Sequence, residues 1–228
     1  MKIQTPSPPM RDRFGTVLRD NRFVIAGEVL FLILLAVLRV PSRTIVLFLL
    51  GWLSLWLRRD SWKKIGMYPP SNWLRIILTG FGISAIYQLF SIGVLVPALH
   101  RLTNTNLDLS QFDSLRGNFT TLAIVLIVSW TIAAFGEEMA YRGYVLNRLA
   151  DLFGNNQFGW GIGVIISSIL FGLGHIYQGV VGVIETFVFG IVAACLYLVS
   201  KRNLWLSILF HGMNDTIGIL LIFLGFYP

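Results

Sequence analysis

Read from the N-terminus, the chain alternates between long apolar runs and short polar connections, most of them basic. Three runs carry no charge: Ile76 to Leu99 over 24 residues, Gly117 to Gly136 over 20 and Leu152 to Gly174 over 23. At about 1.5 Å per residue, a helix of that length crosses a hydrocarbon core of about 30 Å. Four further runs are shorter or contain ionisable residues: Phe23 to Leu38 with Glu28, Thr44 to Leu57, Val180 to Val199 with Glu185, and Leu204 to Phe226 with His211 and Asp215. The pattern predicts an all-α polytopic transmembrane helix bundle of about seven spans, with eight as the alternative. It forms a single membrane domain over residues 1–228, without repeats or low-complexity tracts.

Composition narrows the class. Of 228 residues, 55% are hydrophobic and only 13% charged, where soluble domains carry about 25%. Mean hydropathy is +0.72. These values exclude an ordinary soluble globule and the disordered, coiled-coil and collagen-like classes. The excess of 18 Lys and Arg over 11 Asp and Glu is a topology signal in such a chain, and no basic-aromatic platform for nucleic acid accompanies it. With the N-terminus cytoplasmic, the inner segments hold Lys2, Arg11, Arg13, Arg19, Arg22, Arg58, Arg59, Lys63, Lys64, Arg75, Arg142, Arg148, Lys201 and Arg202. The outer segments hold only Arg39, Arg43, Arg101 and Arg116, so the C-terminus falls outside. The basic residues before the first span resemble a signal-peptide n-region. Arg39-Val40-Pro41-Ser42-Arg43 follows without a small-x-small cleavage site, so the span reads as an uncleaved anchor. Residues 58–73, with Trp62, Tyr68, Pro69-Pro70 and Trp73, read as an interfacial segment. The single cysteine, Cys195, excludes an intrachain disulfide and reads as packing.

Ionisable residues within spans are costly, roughly 2.5 to 3.5 kcal/mol at a helix centre on insertion scales, and here they fall in three places. Glu137-Glu138-Met139-Ala140-Tyr141-Arg142 lies at the end of the fourth run. Glu138 and Arg142 have the spacing and order of a helical ion pair, which leaves Glu137 without a partner in the motif and free to accept a proton from water. Phe171-Gly172-Leu173-Gly174-His175 ends the fifth run, its glycines permitting close backbone approach or a helix break beside the imidazole. His211-Gly212-Met213-Asn214-Asp215 lies inside the seventh, with His211 and Asp215 on one face. Two carboxylates, two histidines and an Asn-Asp pair on three apolar helices are the parts of a water-activating hydrolytic site. They could equally supply metal ligands, but with no His-Glu-x-x-His any zinc would have to be held from separate helices. No Gly-x-Ser-x-Gly elbow and no phosphate-binding Gly-x-x-x-x-Gly-Lys-[Ser/Thr] loop is present. Glu28, Glu185 and His100 read as structural, interfacial or solvated residues.

Glu137-Glu138-x-x-x-Arg142, Phe171-x-x-x-His175 and His211 with a polar residue four positions on resemble, in that order, the CAAX-protease and bacteriocin-processing (CPBP or Abi) family of intramembrane proteases. The resemblance covers a core of about residues 117–216, and Trp62 to Pro69 looks like a stretch that often precedes it. It implies that Glu137 and His175 activate the hydrolytic water. His211 and Asp215 then bind or polarise the scissile carbonyl, Glu138 and Arg142 hold the helix, and Phe171 and Asn214 contact substrate. The family usually has Asn where this chain has Asp215. An ionised Asp cannot donate to an oxyanion, so Asp215 either keeps a proton or orients His211. If zinc is used, Glu137, His175 and His211 would hold it.

The expected function is therefore an intramembrane endopeptidase of glutamate-dependent or metal-dependent type. It would act near the cytoplasmic face of a plasma or inner membrane on a membrane-associated or lipid-modified peptide. A proton-coupled transporter, or a non-catalytic immunity or scaffold protein of the same fold, would use the same residues differently. The span boundaries raise one difficulty: Glu137 falls near the inner face, whereas His175 should lie some 20 Å deeper, so a shared site needs tilted or broken helices.

Overall fold

Helices form in every one of the seven apolar stretches. The computed structural model describes residues 10–38 and 43–226, and no strand occurs among them. Lys2 and Arg39 of the charge count, with Val40, Pro41 and Ser42 of the anchor argument, lie outside the described residues. A short amphipathic helix, α1 (Met10–Asp20), precedes α2 (Arg22–Val37) and α3 (Arg43–Arg58). A 3-10 turn at Trp62–Ile65 leads into α4 (Trp73–Thr103) and α5 (Phe119–Leu152). The chain ends with α6 (Gln157–Leu173), α7 (Gly179–Val199) and α8 (Leu204–Phe223). Asparagine starts five of these helices: Asn21, Asn72, Asn118, Asn156 and Asn203 each accept a backbone N–H of the first turn. A side-chain oxygen there satisfies a donor that the helix itself leaves unpaired.

Among the described residues, four helical segments are long and apolar enough to cross a membrane: α4, α5, Ile176–Val199 and α8. The remaining apolar helices are shorter, α6 with 17 residues and α2 and α3 with 16 each. Large apolar side chains stand on the outer surface, among them Phe23, Leu89, Phe119, Ile127 and Val199. Such an exposed apolar surface suits lipid as its solvent. The inner core joins Ile25 and Val29 of α2, Tyr141 and Tyr144 of α5, and Phe171, Phe189 and Phe210 of α6, α7 and α8.

The longest helix corrects the predicted boundary at Gly136. Helix α5 continues for 34 residues to Leu152, so Glu137, Glu138 and Arg142 are mid-helix. Ser129–Glu137 and Met139–Leu146 are wound as π-helix, whose i→i+5 bonding recurs at functional sites. Arg142 and Arg148, counted above among the inner connections, are instead buried within the bundle, at 1% and 0% exposure. Arg148 donates to Glu28 Oε2 at 2.6 Å and to Asp151 Oδ2 at 2.9 Å. Ser54 and Tyr144 both donate to Glu28 Oε1 at 2.6 Å. Glu28 thus ties α2, α3 and α5 together, and this pairing is what permits the charges to be buried.

The stretch 58–73 docks by its backbone onto the α7–α8 connection. Leu204 N donates to Gly66 O at 3.1 Å, Tyr68 Oη to Lys201 O at 3.0 Å and Asn203 Nδ2 to Tyr68 O at 3.1 Å. Gly66 has φ +102°, and a Cβ there would strike Arg202 O, so only glycine fits this turn. Cys195, read from the sequence as a packing residue, is exposed on α7.

Candidate active site

Helix lengths bring the motif residues to one level. From Leu152 the 15 residues back to Glu137 rise about 22 Å, and α6, starting beside that end, rises about 25 Å to Leu173. The 20 Å difference in depth expected from the sequence therefore does not arise. It came from ending the fourth span at its first charge. Glu137, Phe171, His175, His211, Asn214 and Asp215 all line one cavity of about 460 Å³.

Each motif side chain is held from a different direction. Thr44 Oγ1 of α3 donates to Glu137 Oε1 at 3.1 Å, so the carboxylate that lacks a partner within its own motif takes one across the bundle. Glu138 is fully buried, and Arg142 Nη1 donates to its Oε1 at 2.8 Å. Arg142 Nη2 donates to Gly190 O at 3.0 Å, fixing α5 to α7. The guanidinium also lies 4.6 Å over the Phe171 ring, a favourable cation–π placement. Phe171 is itself 2% exposed and packs edge-on to Tyr141 and His211. It positions its neighbours more than it offers a surface to substrate.

The two histidines differ in setting. His175 follows the end of α6, and its Nδ1 lies 3.0 Å from Phe171 O. A carbonyl can only accept, so Nδ1 carries the proton and Nε2 is available to the cavity. The glycines before it act as the sequence predicts. A Cβ at Gly172 would meet Val183 O of α7 at 2.6 Å, and one at Gly174 would collide with the Arg43 guanidinium. His211 is 4% exposed, with Nδ1 2.8 Å from Glu138 Oε1. Its Nε2 lies 3.6 Å from Asp215 Oδ2, beyond hydrogen-bond length. Of the two expectations for Asp215, that it keeps a proton or orients His211, the second has no hydrogen bond behind it here. Glu138 of the first motif meets His211 Nδ1 from across the bundle, while Ser129 Oγ donates to Asp215 Oδ2 at 2.8 Å.

Other polar groups join the cavity without a motif to announce them. Glu185 lines it on α7, and its Oε1 accepts from Tyr87 Oη at 3.0 Å and from Ser91 Oγ at 2.9 Å. Its single acid in an apolar run was the one available signal. Gln88, Ser129, Tyr177 and Gln178 complete the polar lining. The Oδ1 of Asn214 is buried without a hydrogen-bond partner among the described residues. A buried acceptor left open beside a cavity suits a ligand donor.

The donor set does not form a metal site as it stands. Among the described residues no group of three or more His, Cys, Asp or Glu side chains converges closely enough to hold a metal ion. His211 Nδ1 is engaged by Glu138, which leaves its Nε2 facing the cavity.

A cluster of ionisable groups around one cavity inside a bundle of apolar helices defines a membrane-embedded helical protein with an internal polar site. Residues 119–217, which run from the first turn of α5 into α8, match the family model Rce1-like, described as type II CAAX prenyl endopeptidase Rce1-like. That segment, which holds all three motifs, is similar to the CAAX-protease (CPBP) family. No curated protein and no solved structure matches the chain.

Proposed function

We propose that the chain is a multi-pass intramembrane endopeptidase that hydrolyses a peptide bond in a membrane-associated or lipid-modified substrate by activated-water attack. The convergence of Glu137, His175 and His211 on one cavity carries this reading. Support comes also from the Rce1-like match over the same residues. Helices α2 to α8 act as seven spans with the N-terminus cytoplasmic.

Water held between Glu137 and His175 loses a proton to that pair as its oxygen attacks the scissile carbonyl. Opposite, His211 faces the developing oxyanion with Nε2. When that nitrogen carries a proton it donates to the oxyanion, while Nδ1–H stays on Glu138. Asn214 holds the substrate backbone through its open Oδ1. When the tetrahedral intermediate collapses, the C–N bond breaks and the proton held by Glu137 and His175 passes to the leaving amine. Glu138 and Arg142 position His211 and Phe171 without touching substrate.

Positioned acid–base groups each contribute typically 100- to 10,000-fold, so Glu137→Ala, His175→Ala and His211→Ala should each lower peptide cleavage by about 100-fold or more. The purified variants, assayed on a peptide that the native protein cuts, provide the check. Wild-type rates in all three would overturn the mechanism.

A further inference from the structure

We infer that the cavity opens toward the non-cytoplasmic face, so that the protein acts on a peptide presented at the outer side of the membrane. The inference takes its substrate chemistry from the hydrolytic reading above, but its geometry is independent of that reading.

The bundle has two unlike ends. At one lie the 58–73 stretch and the α5–α6 and α7–α8 turns. It carries Arg58, Arg59, Lys63, Lys64, Arg75, Lys201 and Arg202, with Arg19 of α1 donating to Arg58 O. At the other end lie the connection between α4 and α5 and the turn between α6 and α7, where Arg43, Arg101 and Arg116 are the described Lys or Arg residues. Positive charge accumulates in cytoplasmic connections, which assigns the first end to the cytoplasm. The cytoplasmic site expected from the sequence placed Glu137 at the first end.

The cavity belongs to the second end. Leu107, Leu109, Gln111 and Phe112 of the α4–α5 connection line it, as do Tyr177 and Gln178 of the α6–α7 turn. The two segments are tied where they meet, Asp108 N donating to Gln178 O at 3.1 Å. Gly117 N likewise donates to Phe223 O at 3.1 Å, seating the connection on the end of α8. Toward the cytoplasmic end the bundle is filled: Ala140, Leu149 and Ala193 are buried below Glu138, and the Glu28–Arg148 pair lies beneath them. No Lys or Arg lines the cavity. A peptide therefore approaches past the α4–α5 connection, from outside or from the outer leaflet. Cytoplasmic peptides reach the site only after export.

Cysteine labelling tests this directly, because the chain has a single cysteine. In a Cys195→Ala background, Ser114→Cys reports the cavity end and Lys63→Cys the basic end; both positions are exposed. The probe is a membrane-impermeant maleimide added to spheroplasts of the expression host, before and after permeabilisation. Ser114→Cys should react in intact spheroplasts and Lys63→Cys only after permeabilisation. The reverse order, or reaction of both before permeabilisation, overturns the proposed sidedness. Either result leaves the hydrolytic reading to be judged separately by the cleavage assay on the alanine variants.

Discussion

His211 Nδ1 meets Glu138 on another helix at hydrogen-bond distance, closer than Asp215 one turn along its own helix comes to Nε2. The local i, i+4 relation was readable in the sequence, but only the packed bundle decides which carboxylate reaches Nδ1. Asp215 instead faces Nε2 from 3.6 Å and accepts from Ser129. An Asn at that position would accept from Ser129 in the same way and present N–H donors to the cavity. Asp215→Asn should therefore retain cleavage within about tenfold of the native rate, whereas Asp215→Ala, which also strands the Ser129 hydroxyl, should lose more. Steady-state rates of the two variants on one substrate make the comparison. Equal losses would mean that Asp215 acts through its charge. Glu185 marks the limit of sequence reading at this scale. A lone acid in an apolar run gives no sign that Tyr87 and Ser91, about 100 positions earlier in the chain, will hold it against the cavity.

At the scale of elements, hydropathy located the helices well and misplaced one boundary. Ending a span at its first charge is sound only where the charge meets water. In α5 the charges after Gly136 meet partners instead: Arg142 meets Glu138 and Gly190 O, and Arg148 meets Glu28 and Asp151. The Glu138–Arg142 spacing is legible in the sequence, but Gly190 and Glu28 lie on other helices, and a one-dimensional pattern shows neither them nor the burial of the pairs. The same pairing carries stability. Removing one partner of a buried ion pair costs about 3–5 kcal/mol because the other charge is left uncompensated. Arg148 is 1% and Glu28 16% exposed in side chain, so Arg148→Ala should destabilise the detergent-solubilised protein on that order. Thermal or denaturant unfolding reads the loss, and an unchanged midpoint would show that the pair is not structural.

The whole molecule combines a site legible from three motifs with a shape that the motifs do not contain. Their order and spacing led to the CAAX-protease resemblance, and the Rce1-like match covers the same stretch. The motifs do not say that α5 extends far enough to lift Glu137 to the level of His175, nor which end of the bundle the cavity opens on. Those follow from helix length and from the meeting of the α4–α5 connection with the α6–α7 turn. The central claim is that this cavity hydrolyses peptide bonds with Glu137 at the water. Its most direct measurement is mass-spectrometric detection of cleavage products from membrane-associated peptides incubated with the reconstituted protein and with Glu137→Gln at matched thermal stability. The account predicts defined new termini with the native protein and their loss with Glu137→Gln. Products formed equally by both, or by neither while protons are carried across the membrane, would contradict it.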